Sequence, residues 1–309
     1  MKILTRDDID GLLDWRSVME AMRAAHARPR PAIGDRLLKR EDRAFLVRLA
    51  WMPEWVGLKA VTVFPANVGR TPPLPSVQGQ FLLFDGDTGA VVAVLDGSAL
   101  TRWKTAADSA LGSDLLSRRD VRTLCMVGAG AQAEPLIRAH LEARPGIERI
   151  LLWNRTPAGA ERLAGAIAGL GREVRVAGDL AAAVAGSGVV CCATMATTPV
   201  VRGDWLSPGT HLDLVGAYRP DMREADDRAL LRGSLFVDAR ETTIGEIGEL
   251  MIPMAAGVID ESAVRGDLYD LAAGAPGRRS DEEITVFKNG GGAHLDLMVA
   301  ALAYERSRA

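Results

Sequence analysis

The sequence predicts an α/β protein in which a doubly wound parallel sheet is inserted into a second, α+β domain. Apolar strand-like runs alternate with helical patterns from residue 121 onward, the pattern of a parallel sheet covered by helices on both faces. The first third instead contains strands and a hairpin, and the chain closes with a helix over 293–306. We therefore expect a domain formed by residues 1–118 plus 290–309, interrupted by a second domain over 119–289.

The predicted elements follow from periodicity and from breaking residues. In the first third we expect helices within 1–27, a loop with short strands over 31–56, a strand over 57–67, a hairpin around 85–89 and a helix over 98–116. In the second domain we expect strands at 122–127, 149–153, 173–176, 188–193, 210–215 and 234–238, with helices at 158–169 and 179–185. The stretch 240–283 is predicted to be helical and polar, and the run ITVFKN is predicted to form a last strand.

A glycine-rich turn follows the first strand of the second domain. Gly128, Gly130 and Ala133 have the spacing G-x-G-x-x-A, between an apolar run and a helical pattern. The first glycine permits a tight turn, the second lets the backbone approach a pyrophosphate, and the small third residue lets the helix pack on the strand. An ordinary glycine turn is the alternative. The context favours a Rossmann-type dinucleotide site.

The end of the second strand indicates which dinucleotide binds. An NAD site usually has an acidic residue there for the ribose 2′-hydroxyl, whereas this chain has Asn154, Arg155 and Thr156. A guanidinium binds a 2′-phosphate that a carboxylate would repel. We predict NADP(H), with NAD(H) at lower affinity, although Arg155 also fits a solvated helix start. The predicted cofactor site contains Gly128, Gly130, Ala131, Gln132, Ala133, Asn154, Arg155, Thr156, Thr194 and Gly216.

Composition excludes several classes of protein. The formal charge of −3 is mixed in sign along the chain, which argues against a nucleic-acid surface. No apolar run approaches the length of a membrane helix, and acids occupy the place of a signal peptide's apolar core. The cysteines at 125, 191 and 192 have no metal-binding spacing. We expect a cytoplasmic protein that binds neither metal, nucleic acid nor membrane.

Several polar residues of the first third and of helix 98–116 have two interpretations. Lys59 interrupts an apolar strand, either as an edge-strand lysine or as a cation directed into a site. Lys104 lies four residues before Asp108, the spacing of an ion pair on a helix face. Arg36 lies in a predicted loop, and His294 follows three glycines. None of these residues identifies a chemistry alone.

Together, the motifs resemble those of the ornithine cyclodeaminase/μ-crystallin family, over nearly the whole chain. The segments that carry the resemblance are GLKAVTVFPAN, LFDGDTGAVVAVLDG, LTRWKTAADSALGSDLL, VGAGAQA, WNRT, VGAYRPDMREADD and TVFKNGGGAHLDL. The resemblance is greatest to the ketimine reductase (Δ1-pyrroline-2-carboxylate reductase) type. It implies a homodimer formed through the domain at the two chain ends, a nicotinamide cofactor, and an amino-acid or cyclic imino-acid substrate.

The resemblance also implies roles for individual residues. Lys59, Lys104 and Arg36 match basic residues that hold the substrate carboxylate, although most members have arginine where this chain has Lys104. That difference keeps the charge and loses the bidentate fork. The segment from Gly290 to His294 would lie beside the nicotinamide.

Tyr218 marks a departure from the cyclodeaminases, whose G-x-D-x-P segment carries an acid that this chain lacks. A tyrosine, with a reference pKa of about 10, is a poor proton acceptor near neutral pH. We therefore predict NADPH-dependent reduction of Δ1-pyrroline-2-carboxylate or Δ1-piperideine-2-carboxylate to L-proline or L-pipecolate. Asp108, Tyr218 and His294 are candidates for proton handling. The alternatives are a cyclodeaminase, an alanine-type dehydrogenase, and a non-catalytic crystallin-like nucleotide-binding protein.

Overall fold

The protein divides into two compact units in a computed structural model that describes residues 1–308. The first unit comprises Met1–Lys104 and the C-terminal segment from Gly292, and the second comprises Thr105–Gly291. The first boundary lies inside the helix Gly97–Leu116, not after residue 118 where the sequence placed it. A helix has no break in its pattern at such a point, so the sequence gives no signal for this boundary.

The elements alternate between strand and helix through most of the chain. The strands, β1 to β14 in chain order, are Lys2–Leu4, Ala32–Arg40, Arg43–Trp51, Trp55–Val63, Val77–Asp85, Val91–Asp96, Thr123–Val127, Arg149–Trp153, Glu173–Val176, Val189–Cys192, His211–Leu214, Ser234–Val237, Val264–Asp267 and Thr285–Lys288. The α-helices, α1 to α11, are Arg6–Leu12, Trp15–His26, Gly97–Leu116, Ala133–Ala143, Pro157–Ile167, Leu180–Ala185, Asp227–Arg232, Arg240–Thr243, Gly248–Ala255, Leu268–Ala272 and Ala293–Arg306. Short 3-10 turns lie at Pro65–Gly69, Ala168–Leu170, Gly203–Trp205 and Glu261–Ala263. Among the described residues, no helix is both long and apolar enough to traverse a bilayer.

The first unit is built on a six-stranded sheet with the order β1-β6-β5-β4-β3-β2. Strand β1 runs parallel to β6, and the other pairs are antiparallel. The nine-residue strands β2 and β3 form a long hairpin where the sequence predicted a loop and short strands. Strand β2 is an edge strand exposed along most of its length, so it lacks the apolar alternation that identifies a strand. Strand β1 was also not predicted, because residues 1–27 were expected to contain helices alone.

The two faces of this sheet have different environments. On one face, helix α11 packs closely on the sheet. A Cβ added to Gly57 of β4 would lie 3.0 Å from Leu297 of α11 and 2.4 Å from the Phe81 ring of β5. The other face exposes large apolar side chains, including Leu49 and Trp51. The helix therefore covers one face only.

The second unit contains an eight-stranded parallel sheet with the order β13-β12-β14-β11-β10-β7-β8-β9. Ser109 of α3 and His140 of α4 bond to Asp213 on one face, while the neighbouring Leu214 belongs to the core on the other face with Leu230 of α7. Helices on both faces of a parallel sheet confirm the predicted doubly wound α/β fold. Strand β13, within the stretch predicted to be helical, was not expected.

The strand order contains a topological switch point between β7 and β10. The chain proceeds from β7 outward to β8 and β9, then crosses to β10 on the other side of β7. Ligands of such sheets bind at the carboxyl ends of the strands beside this point. Gly128 directly follows β7, and Thr194 lies two residues after β10, so two predicted cofactor residues lie at the switch point.

Candidate functional site

The turn after β7 has the geometry of a dinucleotide-binding turn. Gly128 has a φ of +107°, a region that favours glycine, and its N–H donates to the Trp153 carbonyl at 2.8 Å. A Cβ at Gly128 would lie 2.5 Å from the carbonyl oxygen of Ala193. The chain's own packing therefore requires glycine at this position.

At Gly130, unlike at Gly128, the chain's own packing leaves space for a side chain. A Cβ added there meets nothing within 4 Å among the chain's own atoms, and Gly130 and Ala131 are both exposed at the start of α4. Gln132 is the N-cap residue, and the buried Ala133 opens the helix with its N–H directed to the Gly130 carbonyl at 3.0 Å. The first N–H groups of a helix bind phosphate oxygens. The turn therefore fits a pyrophosphate that approaches the backbone at Gly130.

The residues after β8 leave a guanidinium accessible. The Asn154 side chain donates to the Thr156 carbonyl at 2.8 Å and fixes the turn into α5. Arg155 and Thr156 are exposed, and within residues 1–308 the Arg155 side chain forms no ion pair. This environment suits the binding of a phosphate at the strand end.

Thr194 and Gly216 are joined by a buried acid that sequence reasoning missed. The Glu224 carboxylate accepts bonds from the Thr194 N–H at 2.7 Å, the Thr194 hydroxyl at 2.8 Å and the Gly216 N–H at 2.6 Å. Burial raises the pKa of Glu224 to about 7; the positive charge of Lys288 opposes the rise and the negative charge of Glu249 adds to it. The segment VGAYRPDMREADD contained Glu224, but nothing in the sequence distinguished it from its neighbouring acids.

Lys59 lies at the centre of a charged cluster in the first unit. It is buried on β4, an interior strand, and its ammonium donates to Asp296 Oδ1 at 2.7 Å and to the Thr101 hydroxyl at 2.5 Å. Burial opposes ionisation of Asp296, but Lys59 and Lys104 outweigh it and hold the pKa of this carboxyl below its usual value. An edge-strand lysine has neither the burial nor these partners, so that interpretation of Lys59 is wrong.

Lys104 and His294 belong to the same cluster. Both are buried, and the His294 ring lies edge-on to His26 with ring centroids 6.0 Å apart. Burial lowers the pKa of His294 well below its usual value, and His26, Lys104, Arg48 and Arg30 lower it further. The imidazole is therefore neutral at physiological pH and does not act as a cationic proton donor there.

The strand register separates Arg36 from Lys59. Lys59 pairs with Arg48, which pairs with Asp35, so these three residues share one face of the sheet. Arg36, the next residue along β2, projects to the opposite face. Arg48 forms an ion pair with Asp35 at 2.7 Å, and its charge acts on Asp296 and His294. The structure thus brings Arg48, and not Arg36, together with Lys59.

The remaining predicted residues lie in the second unit. Asp108 is fully buried in α3, whereas Tyr218 is 57% exposed with its ring 5.7 Å from the Arg219 guanidinium. In the glycine segment, the Gly291 N–H donates to the buried Asp238 carboxylate at 2.6 Å. Asp108 lies one helical turn after Lys104 on α3.

A buried polar cluster around Asp213 lies on one face of the second unit's sheet. Sequence spacing did not predict this cluster. The Asp213 carboxylate accepts bonds from His140 at 3.1 Å, Cys191 at 3.1 Å and Ser109 at 3.0 Å. Burial raises the pKa of the Cys191 thiol well above its usual value, so the thiol keeps its proton and donates it to Asp213. Both oxygens of the Asp213 carboxylate therefore have hydrogen-bond partners.

The fold and the turn after β7 define a dinucleotide-binding protein, and its relatives place it among the nicotinamide-dependent oxidoreductases. The model of the ornithine cyclodeaminase/mu-crystallin family matches residues 17–309, and the chain belongs to this family. The chain is 48% identical over 302 residues to the Δ1-pyrroline-2-carboxylate reductase of Paracoccus denitrificans, covering 97% of this chain and 95% of the relative.

Two solved structures show the same similarity in three dimensions. The Thermococcus litoralis Δ1-pyrroline-2-carboxylate reductase, in complex with NADH and L-proline, is 32% identical with a TM-score of 0.92, covering 100% of this chain and 98% of that one. An archaeal alanine dehydrogenase dimer with bound NAD is 27% identical with a TM-score of 0.92, covering 99% of this chain and 95% of that one. The predicted family resemblance is therefore confirmed.

The buried pair of Lys59 and Asp296 generates a prediction about stability. Lys59→Met should lower the free energy of unfolding by about 3–5 kcal/mol, because the Asp296 carboxylate then stays buried without its ion-pair partner. Lys59→Met combined with Asp296→Asn should recover much of this loss. Chemical denaturation of each variant measures both effects.

The control is the exposed ion pair of Arg122 and Glu148, whose side chains are 64% and 71% accessible. Arg122→Met should cost no more than about 1 kcal/mol. A Lys59→Met loss as small as that of Arg122→Met would contradict the buried ion pair.

Proposed function

We propose that the protein is an NADPH-dependent reductase of cyclic ketimino acids, which converts Δ1-pyrroline-2-carboxylate or Δ1-piperideine-2-carboxylate to L-proline or L-pipecolate. The family and its relatives support nicotinamide-dependent reduction of an imine. The cluster of cations around the buried Lys59 is the observation that carries the proposal of a carboxylate-bearing substrate. The first unit would hold the substrate and the second would hold the dinucleotide.

The cluster around Lys59 brings three cations close to one buried carboxylate. Lys59, Lys104 and Arg48 all act on the single carboxylate of Asp296. Lys59 pairs with Asp296 and Arg48 pairs with Asp35, and these acids hold the cations in place. A substrate carboxylate bound beside these cations would form charge-assisted hydrogen bonds, and binding it in a partly desolvated site orients the attached C=N carbon.

Two relatives and one residue of this chain support a cyclic imine as the substrate. The Paracoccus relative is named for pyrroline-2-carboxylate, and the Thermococcus structure contains L-proline. Tyr218 stands where the resemblance implies an acid in cyclodeaminases, and it is exposed. Without that acid, the chemistry on the amines of ornithine lacks its proton acceptor.

The preference for NADPH rests on Arg155. When bound, NADPH supplies the hydride that reduces the C=N bond. The exposed Arg155 at the end of β8 would bind the 2′-phosphate, and the N–H groups at the start of α4 would bind the pyrophosphate. Since the solved relatives contain NADH or NAD, this preference is proposed for the present chain alone.

The cofactor assignment is tested at Arg155. Arg155→Asp should weaken NADPH binding by roughly 1.5–3 kcal/mol, or about 10- to 100-fold, because the charge-assisted bonds to the phosphate are lost. Binding of NADH should change far less. Fluorescence titration with both cofactors measures the ratio, and an unaltered preference in the variant would reject the assignment.

The substrate assignment is tested by two arginines on neighbouring strands. Arg48→Met should raise KM for Δ1-pyrroline-2-carboxylate by about tenfold or more, because a charged partner of the carboxylate is lost. Arg36→Met removes the same charge from the opposite face and should leave KM unchanged. Steady-state kinetics at saturating NADPH measure both, and equal effects of the two substitutions would contradict the site.

We also propose a homodimer formed through the uncovered face of the first unit's sheet. Trp51 is 60% exposed, Leu38 53%, Leu49 45% and Phe45 39%, and the register places all four on this face. A contiguous exposed apolar surface of this kind is typical of a subunit interface. The archaeal alanine dehydrogenase relative, described as a dimer, supports a second copy of this chain as the partner.

The dimer is tested by placing a charge on this face. Trp51→Glu should weaken association by roughly 2 kcal/mol or more, because a carboxylate replaces a large apolar contact. Leu231→Glu, at a position 58% exposed on α7 of the second unit, is the matched control and should have no effect. Light scattering over a dilution series measures the mass, and a monomeric wild-type protein at all concentrations would reject the dimer.

A further inference from the structure

Glu224 has no role in the proposed chemistry, yet it occupies a central position in the predicted cofactor site. Its carboxylate is fully buried and accepts three hydrogen bonds from two segments that follow neighbouring parallel strands. Thr194 lies after β10, and Gly216 lies after β11. Both segments are at the carboxyl ends of the strands beyond the switch point, where the second half of a dinucleotide binds.

We propose that Glu224 is a positioning residue for the cofactor: its ionised carboxylate holds the Thr194 and Gly216 segments in the conformation that binds the nicotinamide half of the dinucleotide. This inference rests on the proposed function. It adds a residue that controls the affinity for the dinucleotide. Glu224 is covered by these segments, so it acts through their backbone and not by contact with the cofactor.

The packing around Glu224 transmits its position to the dinucleotide turn. A Cβ at Gly216 would lie 2.1 Å from the Thr194 carbonyl oxygen and 2.6 Å from Glu224 Oε1, so the two segments are in direct contact. A Cβ at Gly128 would lie 2.5 Å from the Ala193 oxygen and 3.2 Å from Thr194 Cγ2. The segment held by Glu224 is therefore the surface on which the turn after β7 rests.

The charges around Glu224 make its ionisation sensitive to pH near neutrality. Glu249 on α9 accepts bonds from the Glu224 and Ala225 N–H groups at 2.8 and 3.0 Å, and Lys288 on β14 donates to the Leu214 and Asn289 carbonyls. Arg223 flanks Glu224, and the Cys191 and Cys192 thiols on β10 keep their protons because burial raises their pKa. Burial, opposed by Lys288 and reinforced by Glu249, brings the pKa of Glu224 to about 7.

Protonation changes what Glu224 can accept. The Thr194 and Gly216 N–H groups can only donate, and the Thr194 hydroxyl can accept a proton from Glu224 only by giving up its own bond to Oε1, so protonation loses at least one of the three bonds. The ionised form satisfies all three donors. Cofactor affinity should therefore rise as the pH increases through about 7.

The experiment measures the Kd of NADPH and of NADH by fluorescence titration from about pH 6 to about pH 8. The NADH curve is decisive, because the 2′-phosphate of NADPH itself titrates near pH 6. In wild-type protein, affinity should increase with pH. Glu224→Gln, which keeps the shape and removes the charge, should bind NADH roughly three- to tenfold more weakly at the high end and show no pH dependence.

Glu249→Gln is the matched control in the same cluster. It removes a buried acid that contacts neither segment, so affinity and pH dependence should both persist. The midpoint should move to lower pH, because the charge that raises the pKa of Glu224 is gone. A merely structural role would not move this midpoint.

Two results would overturn the inference while leaving the proposed function intact: wild-type affinity and pH dependence in Glu224→Gln, or a flat curve in Glu249→Gln. Wild-type protein that binds neither NADPH nor NADH would overturn both the proposed function and the inference. Thermal unfolding midpoints identify variants that fold. If Glu224→Gln does not fold, the pH midpoint of NADH affinity in Glu249→Gln tests the inference. A shift to lower pH supports it, and an unchanged midpoint contradicts it.

Discussion

The buried ion pair between Lys59 and Asp296 ties together parts of the chain that are 237 residues apart. It joins β4 of the first sheet to the closing helix α11, and neither charge is stable at that depth without the other. The chain end must return to the first unit to complete this pair. The second unit is therefore inserted in sequence between the two segments of the first. The same ion pair lies at the centre of the proposed carboxylate site.

The two units use buried acids in opposite ways. In the first unit, Lys59 and Lys104 outweigh the cost of burial and hold the pKa of Asp296 below its usual value, so its charge is permanent near neutral pH. In the second unit, burial and Glu249 outweigh Lys288 and bring the pKa of Glu224 to about 7. A fixed charge suits the binding of an anionic substrate. An adjustable charge beside the cofactor segments suits regulation of affinity.

Sequence reasoning predicted the features with local signals and missed those set by long-range pairing. The turn at Gly128 lies between a strand and a helix in an unbroken pattern, and the alternation around it was sufficient to predict the parallel sheet. The hairpin of β2 and β3 has no such pattern, because its edge strand is exposed. The register that separates Arg36 from Lys59 was therefore not predictable. Glu224 was missed because two of its three hydrogen-bond donors are backbone N–H groups, which residue types do not reveal, and the third is a single threonine hydroxyl.

The most direct test is the rate of NADPH oxidation with each candidate substrate supplied in turn. We expect turnover with Δ1-pyrroline-2-carboxylate or Δ1-piperideine-2-carboxylate, and formation of L-proline or L-pipecolate. Ornithine with NAD should give little turnover, because this chain has Tyr218 where the cyclodeaminases have an acid. Pyruvate with ammonia should also give little turnover. Turnover with either of these substrates that exceeds turnover with both cyclic imines would contradict the account.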